Sequence, residues 1–193
     1  MKSNTNVLNV TVEIPKNSSV KYEYDRFSNK IVVDRVLYGA NFYPQNYGFI
    51  AQTLDYDGDE LDCLVISNQP LFPGCIVPTK IIGAMEMIDD GDKDTKLIGV
   101  INCDPRFANI NSLNDLNKHY FLEIKDFFQN YKNLQNKKVV IKGFKDAKWA
   151  MNEYEKCIKL KKKYGNLSKD SFLKIRQKKY NIRNMLNVKR KLF

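Results

Sequence analysis

Short runs in which apolar and polar residues alternate dominate the first half of the chain, and this pattern predicts β-strands. Residues 10–14 alternate as a half-buried strand does, with valine or isoleucine at every second position. Further strands are predicted where apolar runs end in polar or turn residues, at 30–37, 61–66, 96–101 and 139–141. Pro70, Pro73 and Pro78 punctuate the middle of the chain, which favours short strands and turns over helices there.

Two later segments carry apolar residues at spacings of three and four, which predicts amphipathic helices. The first helix is expected over 115–131, with one apolar stripe that includes Ile124 and Phe128. The second helix is expected to follow Asp146 as its N-cap and to stop at Gly165. Many short strands followed by two helices indicate a small β-barrel with the helices packed on its side.

The composition narrows the class of protein. Of the 193 residues, 43% are hydrophobic and 28% are charged, which excludes collagenous, disordered and disulfide-scaffold proteins. No apolar run reaches the length of about eighteen residues that a membrane helix needs, and the N-terminus lacks an apolar signal core, so secretion is not expected. The four cysteines lack metal-ligand spacing and are expected to be reduced thiols in the cytoplasm. His119 is the only histidine, so a mechanism that needs two histidines is excluded.

Charge is distributed unevenly along the chain. The net charge is +10, yet residues 156–193 alone hold fourteen Lys or Arg against one acid, a net of +13. The preceding residues, 1–155, hold eighteen basic and twenty-one acidic groups, a net of −3. A mildly acidic body is therefore joined to a strongly basic tail.

An acidic run at 55–62 carries the most informative candidate chemistry. Asp57 and Asp59 lie two positions apart, so in extended chain their carboxylates point the same way, and Gly58 allows a sharp bend. Asp62 can return to the same cavity, and three convergent carboxylates repel one another unless cations such as Mg²⁺ lie between them. The Glu that an EF-hand calcium loop requires is absent, whereas a solvated acidic loop stays open as an alternative.

A second acidic run at 89–96 strengthens the metal hypothesis. It contains four aspartates immediately before the predicted strand at 96–101. Two acidic loops at the strand ends of a small barrel can share several divalent ions, which is the arrangement that two-metal hydrolysis needs.

Cationic and phenolic residues supply candidates for phosphate binding. Lys21 and Glu23 share one face of an alternating strand, and Arg35 lies in mid-strand, where a charge is costly unless it meets an anion. Further candidates stand around a turn and at the end of the first predicted helix: Tyr43, Tyr47, Tyr131 and Lys132. Each has a simpler explanation, since Arg35 can pair with Asp34, the tyrosines can be core residues and Lys132 can cap a helix. Together they place anion donors beside carboxylates, as a phosphate-cleaving pocket requires.

At these residues the sequence resembles soluble inorganic pyrophosphatase of the family that folds as a small β-barrel. The family's signature of spaced aspartates is matched without a miss by Asp57-Gly58-Asp59-Glu60-Leu61-Asp62-Cys63. The matching motifs lie between about residue 10 and residue 154, and no resemblance is found from about residue 166 onward. The resemblance implies an α+β fold, mainly β, with an OB-like five-stranded closed β-barrel and two flanking helices. The charge distribution adds a basic C-terminal extension to this fold. The expected division is a pyrophosphatase domain at 1–165 and a helical extension at 166–193 that is not an independent domain.

Similarity to this family implies Mg²⁺-dependent hydrolysis of pyrophosphate to two orthophosphates by a metal-bridged hydroxide, with about two to four Mg²⁺ per active site. The implied metal ligands are Asp57, Asp62, Asp89 and Asp94, and the implied outer-shell residues are Glu13 and Glu23. The implied catalytic residues are Asp59, as the base that accepts the proton, with Arg35, Tyr47 and Lys96. The implied substrate-binding residues are Lys21, Arg35, Tyr43, Tyr47, Lys96, Tyr131 and Lys132.

The resemblance also implies a homohexamer, a dimer of trimers, with pyrophosphate as the small-molecule partner and no membrane partner. Asp126 and Asn130 stand where bacterial relatives often carry histidines at subunit contacts.

The tail is expected to form a helix over 168–180, with Ser168 as its cap and Phe172 on its docking stripe. We favour packing on the acidic body, or mere compositional drift, for this tail; a nucleic-acid partner is not expected, although the basic charge leaves it open.

Two other classes of function compete with hydrolysis. A nucleic-acid-binding OB-like module would explain the tail but not the clustered carboxylates, which repel phosphates in the absence of metal. A catalytically inactive scaffold is disfavoured because matched positions such as Arg35, Asp59 and Lys132 are intact.

Overall fold

Eight strands and two long helices lie within residues 6–177, the part of the chain that the computed structural model describes. The strands are β1 (Val7–Ile14), β2 (Val20–Asp25), β3 (Lys30–Val36), β4 (Asn46–Ile50), β5 (Leu61–Ile66), β6 (Ile76–Asp89), β7 (Asp92–Ile101) and β8 (Val139–Asp146). The helices are α1 (His119–Asn130), α2 (Ala147–Tyr164) and a C-terminal helix at 169–177.

Five strands close into a ring in the order β1–β4–β5–β7–β6, because β6 pairs with both β7 and β1. The β5–β7 pair is parallel, and the other pairs in the ring are antiparallel. β8 pairs with the second half of β6, and β2 and β3 form a separate two-stranded ribbon. The expected fold, mainly β with an OB-like five-stranded closed barrel and flanking helices, is confirmed.

The barrel closes tightly where β1 pairs with β4, at an irregular register between Val12 and Ile14. A Cβ atom at Gly48 would lie 2.0 Å from the carbonyl oxygen of Thr11, so only glycine fits this position. The absence of a side chain at Gly48 therefore permits the strand contact that sets its neighbour, Tyr47, in the barrel wall.

Two apolar clusters share strand β5. Leu64 and Ile66 belong to the cluster that includes the buried face of α1. Leu61, Cys63 and Val65 belong to the cluster that includes the buried face of α2. Because alternate residues of β5 are buried on both sides, the segment is apolar except for the half-buried Asp62, and its predicted bounds are confirmed.

The middle of the chain contradicts the prediction of short strands. β6 runs for 14 residues and includes Pro78, which lies opposite Asn9 of β1. The strand continues because it pairs with β1, β7 and β8, and local sequence does not report these long-range contacts. β4 also lies outside the predicted strands, because its buried residues include Asn46 and Gly48, which are poor strand formers.

The second acidic run is a tight hairpin rather than an open loop. Asp90 and Gly91 turn the chain with φ angles of 50° and 94°, and β7 begins at Asp92. Two consecutive residues with positive φ are typical of the two-residue turn that matches the twist of paired strands. Asp94 is therefore held in a strand, on the same face as Lys96.

Both predicted helices are present, although one begins later than expected. α1 begins at His119, because the residues before it form a 3₁₀ turn and Leu116 is extended. The Asp146 side chain caps α2 by accepting a hydrogen bond of 2.8 Å from Trp149 N. α2 ends before Gly165, so both predicted ends of this helix are confirmed.

Residues 169–177 of the basic tail are helical. Ser168 caps this helix, since its hydroxyl accepts a hydrogen bond of 3.3 Å from Ser171 N. Phe172 is buried against Tyr164, with ring centroids 5.6 Å apart. The rest of the predicted helix, 178–180, lies outside the described residues.

The four cysteines of the chain are free thiols. Cys63 and Cys157 are buried free thiols, and burial raises the pKa of both, so they stay protonated and behave as small apolar groups. Cys75 and Cys103 are also free thiols. Between residues 6 and 177, no helix combines the length and the apolar character that a membrane crossing needs.

Candidate active site

A cavity of 390 Å³ opens where the β2–β3 ribbon, the chain before β5, the β6–β7 hairpin and the end of α1 meet. The lining residues that the sequence predicts are Glu13, Lys21, Glu23, Arg35, Tyr47, Asp57, Asp59, Asp62, Asp89, Asp94, Lys96, Tyr131 and Lys132. The lining residues that the sequence does not predict are Tyr24, Arg26, Phe49, Glu60, Lys137 and Lys169. Residues that are distant in the chain thus meet in one cavity.

The acidic loop, residues 55–60, is folded on itself ahead of β5. Asp55 N donates to the Asp59 carbonyl at 2.7 Å, and Gly58 N donates to the Asp55 carbonyl at 3.2 Å. Gly58 has a φ of 92°, a conformation that glycine adopts without strain. Asp59 N also donates to the Asp57 carboxylate at 3.1 Å. These bonds hold Asp57 and Asp59 at the wall of the cavity.

Lys96 joins the two acidic segments. The parallel pairing of β5 and β7 sets Asp62 opposite Lys96, and Asp94 precedes Lys96 on the same face of β7. The Lys96 ammonium, on a side chain only 4% exposed, contacts the carboxylates of both Asp62 and Asp94. The two aspartate-bearing segments therefore face each other across one cation instead of pointing apart into solvent.

Burial makes this carboxylate cluster costly to keep ionised. It raises the pKa of Asp57 to about 7, and the nearby carboxylates of Asp94 and Asp62 add to that shift. Burial also raises the pKa of Asp62, although Lys96 opposes the shift. For Lys96, burial alone would lower the pKa, but its two carboxylate neighbours raise it well above the usual value. The cluster thus holds more negative charge than Lys96 balances.

The donor set fits hard divalent cations such as Mg²⁺. The candidate ligands are carboxylates, the oxygen donors that Mg²⁺ prefers. Asp89 has a buried Oδ1 without a hydrogen-bond partner within residues 6–177, while its Oδ2 contacts Lys132. In that range no three His, Cys, Asp or Glu side chains already converge closely enough to hold an ion, and Lys96 lies between two of the carboxylates. A divalent ion would therefore take over part of the charge balance that the lysines provide.

The β2–β3 ribbon carries a cationic wall that faces the carboxylates. Lys21 lies opposite Arg35 in the register of the ribbon. Lys21 contacts Glu23 and approaches Asp34 at 3.4 Å. Arg35 pairs with Asp34, but its Nε is buried without a partner in the described part of the chain, so one donor is available to an anion.

Tyr47 and Tyr131 place phenols beside the lysines of the cavity. Burial raises the pKa of both phenols, so both stay protonated and can donate hydrogen bonds. The Lys96 ammonium lies 5.5 Å from the centroid of the Tyr47 ring, and the Lys132 ammonium lies 5.2 Å from that of Tyr131. Each of these phenols therefore lies beside a lysine in the lining of the cavity.

Glu13 lies at the end of β1, behind the carboxylate cluster. Its carboxylate accepts a hydrogen bond of 2.8 Å from Tyr24 N, which ties the ribbon to the barrel. Burial raises the pKa of Glu13 to about 7, against the lowering effect of that hydrogen bond. A buried glutamate at this place can accept hydrogen bonds from water held by the cluster in front of it.

Comparison with known proteins agrees with this geometry. Residues 10–162 match the family model described as inorganic pyrophosphatase. The chain belongs to the inorganic pyrophosphatase family. The resemblance that the sequence motifs indicate is thereby confirmed, and it extends somewhat further toward the C-terminus than the motifs alone show.

Members of the inorganic pyrophosphatase family from other organisms cover most of this chain. An inorganic pyrophosphatase from Malacoplasma penetrans is 63% identical over 173 residues, which cover 90% of this chain and 96% of that protein. One from Mycoplasma pneumoniae is 58% identical, with 89% of this chain and 94% of that protein covered. The crystal structure of inorganic pyrophosphatase from Thermus thermophilus matches with a TM-score of 0.79 at 41% identity, covering 84% of this chain and 94% of that one.

One predicted residue of this pyrophosphatase family member, Tyr43, lies behind the cavity instead of lining it. Tyr43 is 2% exposed, and its ring centroid lies 5.6 Å from that of Tyr47 and 4.7 Å from that of Phe127. The spacing of two phenols around a turn does not determine which one faces the cavity. Tyr43 therefore packs behind Tyr47, and its assignment as a substrate-binding residue stays a prediction.

Arg26 and Lys169 are charged residues of the cavity that sequence reasoning missed. Arg26 stacks over the Phe49 ring at 4.6 Å and pairs with Glu60 at 2.5 Å. No pattern around Arg26 distinguishes it from an ordinary surface arginine. Lys169 belongs to the basic tail and lies 110 positions from its partner, Asp59, so no local spacing could have reported the contact.

Proposed function

We propose that this chain is an inorganic diphosphatase, a hydrolase that splits pyrophosphate into two orthophosphates with Mg²⁺ as its cofactor. One observation carries the proposal: two aspartate-bearing segments meet across Lys96 inside a cavity whose facing wall is cationic. Membership of the inorganic pyrophosphatase family supports the same substrate. Pyrophosphate carries several negative charges that repel an incoming nucleophile, so a site that cleaves it must first neutralise them.

The proposed metal ligands are the four aspartates of the two acidic segments, Asp57, Asp62, Asp89 and Asp94, with Glu13 and Glu23 acting from behind. When bound, about two to four divalent ions would screen phosphate charge and make a coordinated water easier to deprotonate. Their binding would also weaken the hold of Asp62 on Lys96 and free that ammonium for a phosphate oxygen.

Asp59 is the proposed base, since it lines the cavity beside Asp57 and is more exposed to solvent. Its carboxylate would accept a proton from the attacking water, whose oxygen forms a bond to one phosphorus while the bridging P–O bond breaks. The electron pair of that bond stays on the departing phosphate, whose charge the cationic wall neutralises. The proposed substrate ligands are Lys21, Arg35, Tyr47, Lys96, Tyr131 and Lys132, of which Arg35, Tyr47 and Lys96 also assist catalysis.

Phosphate release from pyrophosphate, measured with Mg²⁺ and with excess EDTA, tests the proposal. We expect release only when metal is present, because the carboxylate cluster would otherwise repel the substrate. A nucleoside triphosphate serves as the comparison substrate, because it also contains a phosphoanhydride bond but is larger than pyrophosphate. The cavity of 390 Å³ and its charged lining suit a small anion. Folded protein that releases no phosphate at any Mg²⁺ concentration would contradict the proposed function.

The assembly, the location and the domain division belong to the same proposal. We infer a cytoplasmic homohexamer, with residues 1–165 as the enzyme domain and 166–193 as its extension. α1 carries Asp126 and Asn130 at the positions expected to face another subunit, and the Asn130 amide donates to Asp126 at 2.7 Å.

A further inference from the structure

The C-terminal helix lies on the acidic loop that carries the proposed base. The Lys169 ammonium is 2.5 Å from the Asp59 carboxylate. The Arg176 guanidinium donates to the carbonyl of Tyr56 and lies 4.9 Å from the centroid of the Tyr56 ring. Both contacts come from residues beyond 10–162, the part of the chain that matches the family model. The extension thus reaches the candidate active site itself.

An apolar anchor fixes this helix independently of its charges. Phe172 is only 1% exposed and packs against Tyr164 at the end of α2. The stem of Lys169 lies against the loop, since a Cβ atom at Gly58 would come within 2.8 Å of Lys169 Cγ. Burial of Phe172 therefore determines where the Lys169 side chain can reach.

Each of three lysines forms ion pairs with one or two aspartates of the cavity. Lys96 contacts two aspartates across the strands β5 and β7, and Lys132 contacts Asp89. Among residues 6–177, the cation paired with Asp59 is Lys169. The barrel strand β7 supplies Lys96 and the segment after α1 supplies Lys132, whereas the extension supplies the partner of the proposed base.

We propose that residues 165–177 brace the acidic loop and that Lys169 is a positioning residue, which orients the Asp59 carboxylate for the reaction. The inference rests on the proposed function, because it assigns Lys169 a role that acts through the proposed base. Lys169 is not assigned a contact with pyrophosphate. The helix restrains the loop from one side, and the ammonium restricts the rotation of the carboxylate.

The size of the effect follows from exposure. The side chains of Lys169 and Asp59 are 50% and 60% exposed, so their attraction is modest. A carboxylate that loses this partner samples more orientations, and turnover falls with the population that is correctly placed. We expect a loss of about three- to fivefold in kcat, within the range of a half-exposed ion pair.

Steady-state kinetics of the full-length protein tests the positioning role. Lys169→Ala is expected to lower kcat about three- to fivefold and to leave KM for pyrophosphate within about twofold of the wild type. Lys169→Arg keeps the cation and should recover most of the loss. Lys174→Ala is the matched control, because Lys174 is an exposed lysine of the same helix and its removal changes the net charge equally. An unchanged kcat in Lys169→Ala, or a raised KM with kcat retained, overturns the proposal.

Hydrogen exchange of the metal-free protein tests the brace without any activity. The amides of Asp55 and Gly58 are hydrogen-bonded within the loop, so they report its opening. Phe172→Ala is expected to speed their exchange at least about fivefold, since it removes the anchor. Phe72→Ala, a change to a phenylalanine that is 83% exposed, is the control and should leave exchange unchanged. Equal exchange in Phe172→Ala and the wild type overturns the brace.

The two measurements separate this inference from the proposed function. If the wild type releases no phosphate, the proposed function fails, while hydrogen exchange still decides whether the extension braces the loop. If the wild type is active and either Lys169→Ala keeps the wild-type kcat or Phe172→Ala keeps the wild-type exchange rate, the inference fails alone.

Discussion

Replacing Lys96 by methionine isolates the charge balance of the site from its shape. The two side chains have similar length, but the substitution leaves Asp62 and Asp94 facing each other without their shared cation. Removing one partner of a buried ion pair typically costs about 3–5 kcal/mol in the free energy of unfolding. Asp62 retains 19% of its exposure, so we expect the lower end, about 3 kcal/mol, in metal-free protein at pH 8.

The assay is thermal unfolding of Lys96→Met and wild type in EDTA and in saturating Mg²⁺. A loss of about 3 kcal/mol corresponds to a lower midpoint by about 6–12 °C for a chain of this size. Divalent ions would restore charge balance between the carboxylates, so Mg²⁺ should raise the midpoint of the variant more than that of the wild type.

The loss of stability in Lys96→Met, relative to the wild type, is expected to depend on pH in a definite direction. Burial raises the pKa of Asp62 in the folded protein above its unfolded value, so the folded state is penalised when the carboxylate is ionised. That penalty is absent at low pH and grows as pH rises toward the folded pKa. The deficit of Lys96→Met should therefore be smaller at pH 5 than at pH 8.

Lys80 provides the matched control, because it is also a buried lysine but meets neutral acceptors. Its ammonium donates to the Ala108 carbonyl at 2.9 Å and to the Asn111 amide oxygen at 3.2 Å. Lys80→Met should cost about 1–3 kcal/mol with no response to Mg²⁺ or to pH between 5 and 8. The reasoning is refuted if Lys96→Met is as stable as the wild type in EDTA at pH 8, or if Mg²⁺ stabilises both variants equally.

Three further predictions concern the proposed chemistry. Asp59→Asn should lower kcat by about a hundredfold or more while Mn²⁺ affinity, measured by electron paramagnetic resonance, stays within about threefold; near wild-type turnover would remove Asp59 as the base. Because burial raises the pKa of Asp57 to about 7, protons compete with metal for this carboxylate. Calorimetry should therefore show that the affinity for Mg²⁺ falls about tenfold from pH 8 to pH 6. An affinity that does not change over this range would exclude Asp57 as a ligand. Light scattering should report a mass near six chains of 22.5 kDa, and a stable monomer or dimer would contradict the expected hexamer.

Local patterns predicted the parts of the fold whose stabilising contacts are themselves local. The apolar run of β5, interrupted only by Asp62, and the Asp146 cap of α2 were both placed correctly, since each depends on neighbouring residues. The length of β6 could not be predicted, because it depends on pairing with strands from three other parts of the chain. Propensity near Pro78 even argues against the observed strand.

The candidate site shows the same division. The spacing of Asp57, Asp59 and Asp62 was visible because these residues lie within one short run. The position of Tyr43 behind Tyr47 depends on how the turn before β4 packs on α1, which no spacing reveals. Lys169 reaches the site because Phe172, in the same helix, is buried against the body of the protein. The charge of the tail indicated only that it could pack on an acidic surface.

The parallel register of β5 and β7 has a consequence for how faithfully the barrel assembles. Side chains alternate between the faces of a strand, so a slip of a single position would turn Lys96 away from Asp62. A misaligned barrel would then enclose unpaired negative charge and be strongly disfavoured against the correct one. The same residues that we assign to catalysis thereby reject incorrect strand alignments, and damage to them should appear as heterogeneous folding as well as lost turnover.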